Sequence, residues 1–301
     1  MKISTIACLI LFAFPILAGD ARATDWFVDN QTGDDRFDGK DAASRGGGVG
    51  PFKSIARALR AAERGAHIIL ADTGEPYRES ITLQGASHSG LSYQDFRLTG
   101  NGAVLDGTAP IPRDAWEPLG QGIWRFSPRR MSHQLLYLDG EPAERVVVSR
   151  GELALPDLEP LQWCLFDRQI YFRAEQDRAP GDYSLSLTAL PVGITLVDVH
   201  RVTISDLTIQ GFQLDGINAH DNVFEATLQR LVCQGNARSG ISVGGASRVQ
   251  IQRCLISDNG AAQLRTEDHC VVHLRGCRIL DHSAPAIVRE GGRIHDDDQD
   301  H

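Results

Sequence analysis

Between residues 202 and 290 one arrangement of apolar and polar positions is written four times, over 203–218, 227–242, 250–265 and 273–288. Ile204, Leu228, Ile251 and Leu274 form one apolar column, and Leu207, Leu231, Cys254 and Cys277 form a second. Ile209, Cys233, Ile256 and Ile279 make a third, and Ile217, Ile241, Leu264 and Ile287 a fourth, with successive members 24, 23 and 23 residues apart. Within each copy apolar and polar residues alternate, which is strand periodicity. The runs break at Ser205-Asp206, Gln229-Arg230, Gln252-Arg253 and Arg275-Gly276. A unit this short cannot bury its apolar face alone, so the copies must stack. The spacing lacks both the LxxLxLxxN frame of leucine-rich repeats and a six-residue beat. It predicts an all-β, right-handed parallel β-helix, one coil per copy, with coils about 4.8 Å apart.

The rest of the chain is read around that solenoid. Residues 1–23 have the form of a signal peptide: Lys2, an apolar run from Ile3 to Ala18, then Ala21-Arg22-Ala23. The run falls short of the ~20 residues that a membrane span needs, and no other stretch is apolar enough. The expected location is secreted or periplasmic. Over 24–109 a polar opening leads to a helix predicted from Pro51 to Gly65, with Phe52, Ile55, Leu59 and Ala62 on one face. Such a helix would cover the open first coil. Short strands at His67–Leu70, Ile81–Leu83, Phe96–Leu98 and Val104–Leu105 read as early coils. Residues 110–191 break the repeat with a small β-rich insertion, including a hairpin around Asp167-Arg168-Gln169. The regular coils fill 192–293, and 294–301 is an acidic tail.

The net charge is −9, or −10 once the +1 of Lys2, Arg22 and Asp20 is removed with the leader. This argues against nucleic acid as partner, and an anionic polymer would need a locally basic strip or a bridging cation. Cys164, Cys233, Cys254, Cys270 and Cys277 show no zinc spacing. Cys233, Cys254 and Cys277 replace Ile or Leu in the columns and read as small core hydrophobes.

At the N-terminal end, Val28-Asp29, Gly33-Asp34-Asp35, Asp38-Gly39, Pro51-Phe52-Lys53-Ser54-Ile55, Ala58-Leu59, Ile68-Ile69-Leu70 and Pro76-Tyr77-Arg78-Glu79-Ser80-Ile81 follow one another. This order resembles the start of many secreted β-helix proteins of the pectate-lyase-like superfamily, over 25–106 and again over 196–290. The resemblance implies a scaffold shared by polysaccharide lyases and some glycoside hydrolases, on which an insertion can wall a cleft. Trp124 and Trp163 would then face the sugar. Calcium is common in polyuronate lyases and suits carboxylates, with Asp34, Asp35 and Asp38 the densest acidic group before the tail, although a turn loop explains them as well.

Stacking also converts sequence columns into surface neighbours. If Ile217, Ile241, Leu264 and Ile287 point inward, Asn218, Ser242, Arg265 and Val288 point outward. Two positions on come His220, Gly244, Glu267 and Glu290. Carboxylates one coil apart repel, the means by which glycosidases separate an acid from a nucleophile. An Arg or His beside them would instead pair with a uronate or abstract a proton. The expected catalytic set is Glu267, Glu290, Arg265 and His220, with Asn218 and Asp215 holding a polysaccharide. The function predicted is lysis or hydrolysis of that polysaccharide; the alternative is a glycan-binding or surface scaffold without catalysis.

Overall fold

The computed structural model describes residues 24–85, 87–129, 133–149 and 151–297. The predicted leader, 1–23, and the end of the acidic tail from 298 lie outside the described residues. The chain opens with β1 (Asp25–Val28), α1 (Ile55–Ala61) and β2 (His67–Leu70). The helix begins later than predicted. Ser54 is its N-cap and accepts the Arg57 N–H, while the Glu79 carboxylate accepts the N–H groups of Ile55 and Ala56 at 2.8 and 2.9 Å. These acceptors supply the partners that free N–H groups at a helix start require, so Pro51 and Phe52 stay extended. Phe52 stacks on Trp26 at 5.6 Å, and Ile55, Ala58 and Leu59 are buried against the first coil.

The first coil is β3 (Ile81–Gln84), β4 (Phe96–Thr99) and β5 (Val104–Asp106). The insertion follows, with β6 (Thr108–Pro110), β7 (Glu117–Gly120), β8 (Ile123–Phe126), β9 (Leu136–Leu138), β10 (Glu141–Pro142), β11 (Trp163–Phe166), β12 (Gln169–Arg173) and β13 (Leu185–Thr188). Coiling resumes with β14 (Ile194–Val197), β15 (His200–Ser205) and β16 (Thr208–Gln210), then β17 (Asp215–His220), β18 (Phe224–Gln229) and β19 (Val232–Gln234). Next come β20 (Ser239–Val243), β21 (Arg248–Gln252) and β22 (Leu255–Ser257), then β23 (Ala262–Arg275), β24 (Arg278–Ile279) and β25 (Ile287–Asp296).

All coil-to-coil pairing is parallel. One face is β3-β14-β17-β20-β23-β25, a second runs β1-β2-β4-β15-β18-β21 into the later half of β23, and the third is β5-β16-β19-β22-β24. The predicted columns hold. Leu228 pairs with Ile251 and Ile251 with Leu274, all within the core. Ile287 ends its row 41% exposed, because no further described coil lies beyond it. The predicted breaks are corners: Asp206, Arg230, Arg253 and Gly276 sit at φ 57°, 51°, 53° and 62°. One left-handed residue at each turns the strand into the next face. Asp206 and Arg230 add a two-point ion pair at 2.6 and 2.7 Å along that corner. Cys164, Cys233, Cys254, Cys270 and Cys277 are free thiols.

At another corner an amide ladder is buried. Asn259 Oδ1 accepts from the backbone N and the Nδ2 of Asn236 at 2.9 and 3.0 Å. Asn259 Nδ2 in turn donates to Gln263 at 2.8 Å. Each chain of donors and acceptors satisfies backbone groups that the turn would otherwise leave unpaired.

The insertion consists of two small sheets, β6-β13-β9-β10 and β7-β8-β12-β11. Its hairpin forms as predicted, with Asp167 and Arg168 in the left-handed region between β11 and β12. Trp116, Trp163, Ile170 and Phe172 make its core. Tyr137 anchors it to the solenoid by donating its hydroxyl to the Gly235 carbonyl at 2.5 Å, and Ala237 joins the insertion's core.

Candidate functional site

The face that carries β17, β20, β23 and β25 positions the outward residues as the repeat implies. Asn218 pairs with Ser242, Ser242 with Arg265, and Arg265 with Val288. Glu267 stands directly opposite Glu290. Strand spacing sets their backbones about 4.8 Å apart. His220 lies on the other side of Glu267, across Gly244. A Cβ at position 244 would meet His220 Nδ1 at 3.1 Å and Glu267 Cβ at 3.7 Å. The glycine therefore leaves a notch between an imidazole and a carboxylate.

The charges in this face are unequally engaged. Arg265 donates to Glu290 at 2.5 Å, with its own side chain only 13% exposed. Among the described residues no cation pairs with Glu267, which is half-buried. His220 is exposed and lies 3.4 Å from Asp221. Asp215 departs from expectation. It is fully buried, accepts from Arg238 at two points, one at 2.9 Å, and accepts from Asn218 Nδ2 at 2.9 Å. Its place is beneath the surface, where it orients Arg238 and Asn218 and cannot touch a ligand.

Two further residues belong to this face. Arg238 precedes Ser239, the register partner of Asp215, so its position follows from the repeat once Asp215 is taken as an inward anchor. His133 comes from the insertion, just before the buried Gln134 and Leu135. Desolvation first, then the charges of Arg238, Arg265 and Arg145, hold its imidazole below the usual range, with Asp215 opposing them. The insertion therefore walls the face at this end. At its junction with the coils is a cleft of about 570 Å³, lined by Phe126, Gln134, Thr188 and Gln213 among others.

Trp163 does not form a sugar platform. Trp163 is 0% exposed and donates its indole N–H to the Ala143 carbonyl at 3.0 Å. Its large apolar ring fills the insertion's own core. Trp124 is half-buried and lines a separate cleft of about 610 Å³ whose walls, Pro118 and Arg173 among them, all come from the insertion.

The N-terminal acids are committed to their own loop. Asp34 pairs with Arg36, whose hydrogen bonds lower the carboxyl to about 2. Asp35 accepts from the Lys53 and Ser54 backbone and from the Ser54 hydroxyl, and Asp38 accepts from Lys40 N. A calcium ion there would have to displace these contacts, so the residues fit a turn loop better than a calcium cage. Among the described residues no group of three ligating side chains could hold a metal. Among the same residues no helix is long and apolar enough to cross a membrane.

With its parallel coils, three faces and, among the described residues, one short α-helix, the chain has a right-handed parallel β-helix fold. The family described as "right handed beta helix region" matches residues 191–295, the span of the regular coils. Among solved structures, a glycoside hydrolase is similar at 12% identity and TM-score 0.57, with 84% of this chain and 74% of that one covered. The complex of XylC with xylose is similar at 14% identity and TM-score 0.46, covering 90% of this chain. This chain spans 66% of that structure's length, just under two thirds. Pectate lyase Pel9A is similar at 11% identity and TM-score 0.30, covering 90% of this chain and 74% of that one. No curated protein matches the chain. At these identities the likeness is one of fold, and this fold hosts many activities.

Proposed function

We propose that the protein is an exported carbohydrate-active β-helix protein that hydrolyses a polysaccharide laid across β17, β20, β23 and β25. The observation that carries the reading is the asymmetry of two register-paired carboxylates. Glu290 is bound to Arg265, and among the described residues no cation pairs with Glu267. A carboxylate held by a guanidinium suits a nucleophile or a stabiliser of positive charge on the sugar. The unpaired neighbour, beside the Gly244 notch, suits proton transfer to the leaving oxygen. A backbone spacing of about 4.8 Å is compatible with the ~5 Å carboxyl separation of retaining glycosidases. Arg265 is placed as Glu290's partner rather than as a base, which weighs against elimination through Arg265. Resemblance to a glycoside hydrolase fold and the signal-peptide pattern at residues 1–23 agree with this reading.

A second reading, glycan binding without cleavage, is favoured by the internal neutralisation of Arg238 by Asp215 and of Arg265 by Glu290. A glycan-degradation screen with Glu267→Gln as control separates the readings. New reducing ends that vanish in Glu267→Gln support hydrolysis. Unsaturated products absorbing in the ultraviolet would replace it with elimination. Binding without any product would leave the scaffold.

A further inference from the structure

The insertion holds a half-buried cation, Arg145, that no carboxylate among the described residues neutralises. Arg145 pairs with Trp163 through an isolated bridge, and its guanidinium lies over the Trp163 ring at 5.1 Å. Its Nε is shut off from water and has no hydrogen-bond partner. Among the described residues no carboxylate forms an ion pair with it. Burial pulls the guanidinium below its ordinary range, and the Cys164 thiol opposes this. A desolvated charge without a counter-ion is unfavourable unless something else compensates it. The face of an indole offsets part of that and gives Nε no acceptor.

The backbone shows where this cation lies. β9 and β10 form a hairpin in which Leu138 faces Glu141 and Tyr137 faces Pro142, and Ala143 N bonds to the Leu136 carbonyl. Past Ala143 the strand turns to β11: the Trp163 N–H goes to the Glu144 carbonyl and the Val146 N–H to the Trp163 carbonyl, with Arg145 between them. Tyr137 and Pro142 sit over the Gly235 corner, so the His133 end of the hairpin lies toward Arg238. His133 feels the charges of Arg238, Arg265 and Arg145 together. Asp215 answers Arg238 and Glu290 answers Arg265, and Arg145 alone is left over.

We propose that Arg145, braced on Trp163, is a binding site for an anionic oxygen group on the glycan, a uronate carboxylate or a sulfate ester. A planar guanidinium fork matches either group with paired hydrogen bonds. The indole beneath fixes the fork's plane, so little motion is lost on binding. The site lies on the insertion rather than on the coils, and it would select acidic sugars at the edge of the groove. This rests on the glycan reading above and adds a substrate class to it.

The test is calorimetric titration of the full chain with three oligosaccharides: oligogalacturonate (carboxylate), a carrageenan oligosaccharide (sulfate) and a xylo-oligosaccharide (neutral). One charged probe should bind, and Arg145→Gln should weaken it about tenfold, the usual scale of one charged hydrogen bond. Arg145→Lys should keep part of the affinity and guards against a Gln variant that misfolds. Which charged probe binds identifies the group. Unchanged affinity for both charged probes in Arg145→Gln overturns the site. Binding or cleavage of the neutral probe alone also overturns it, while leaving the glycan reading intact. No binding or cleavage of any glycan overturns both.

Discussion

Arg265 reaches from β23 to Glu290 on β25, a coil away, and passes by Glu267 on its own strand. The arrangement gives two neighbouring carboxylates different electrostatic surroundings with a single side chain. If that is its role, Arg265→Ala should lower turnover, and the double variant Arg265→Ala/Glu290→Gln should be no slower than Glu290→Gln alone. Steady-state kinetics of the three variants checks this; additive losses would show that Arg265 acts elsewhere.

Asp215→Ala strands Arg238 beside a fully buried site. Breaking a buried pair by removing one partner is destabilising by about 3–5 kcal/mol. The loss should fall at the lower end because the Arg238 side chain keeps 24% exposure. Denaturant titration should show a lower midpoint with an unchanged slope.

Asn259→Ala removes the acceptor of the Asn236 backbone N–H and the donor to Gln263. Each buried polar group left unpaired is unfavourable by about 1–3 kcal/mol. The same titration should register a loss of that order, larger than for Thr227→Ala on the outer surface.

Gly235 sits at φ 61°, and a Cβ there would lie 2.0 Å from the Tyr137 hydroxyl. Gly235→Ala should lift the insertion off the corner and speed its limited proteolysis. Tyr137→Phe loses only the hydrogen bond, about 1 kcal/mol, and should be cut more slowly than the glycine variant.

Acid should weaken the fold through histidine. Burial, then the Arg97 charge, lower the His67 imidazole against the pull of Asp25, and desolvation with Arg238 lowers that of His133. A depressed imidazole favours the fold above the ordinary value of 6.5, and that contribution is lost as pH falls through the lowered folded value. Melting temperature should therefore drop on acidification below pH 6.5, and less steeply in His67→Gln. An equal slope in that variant would assign the effect to other groups.

Much of the solenoid could be read from the chain because a 23-residue offset turns distant positions into neighbours. The Leu228–Ile251–Leu274 row, the left-handed corners and the Asn236–Asn259 pair follow from that offset alone. So does the opposition of Glu267 to Glu290. The same offset would have exposed Arg238 as the partner of Asp215, had Asp215 been read as an inward anchor. No period links 110–191 to the coils, so the contributions of His133 and Arg145 depend on how Tyr137 docks at Gly235, which pattern does not encode. Trp163 illustrates the limit: a ring suited to stacking on sugar and a ring filling a small core look alike in sequence. Proline preference misplaced the start of α1, because the acceptors that begin it, Ser54 and Glu79, are 25 residues apart.

The insertion departs after β5 and returns at β14, and β14 lies directly on β3, Ile194 against Ile81. The thread of the screw thus closes beneath the loop as though nothing had been spliced in. Such an attachment makes the wall an exchangeable cassette: relatives could trade it for another without recutting the rungs below.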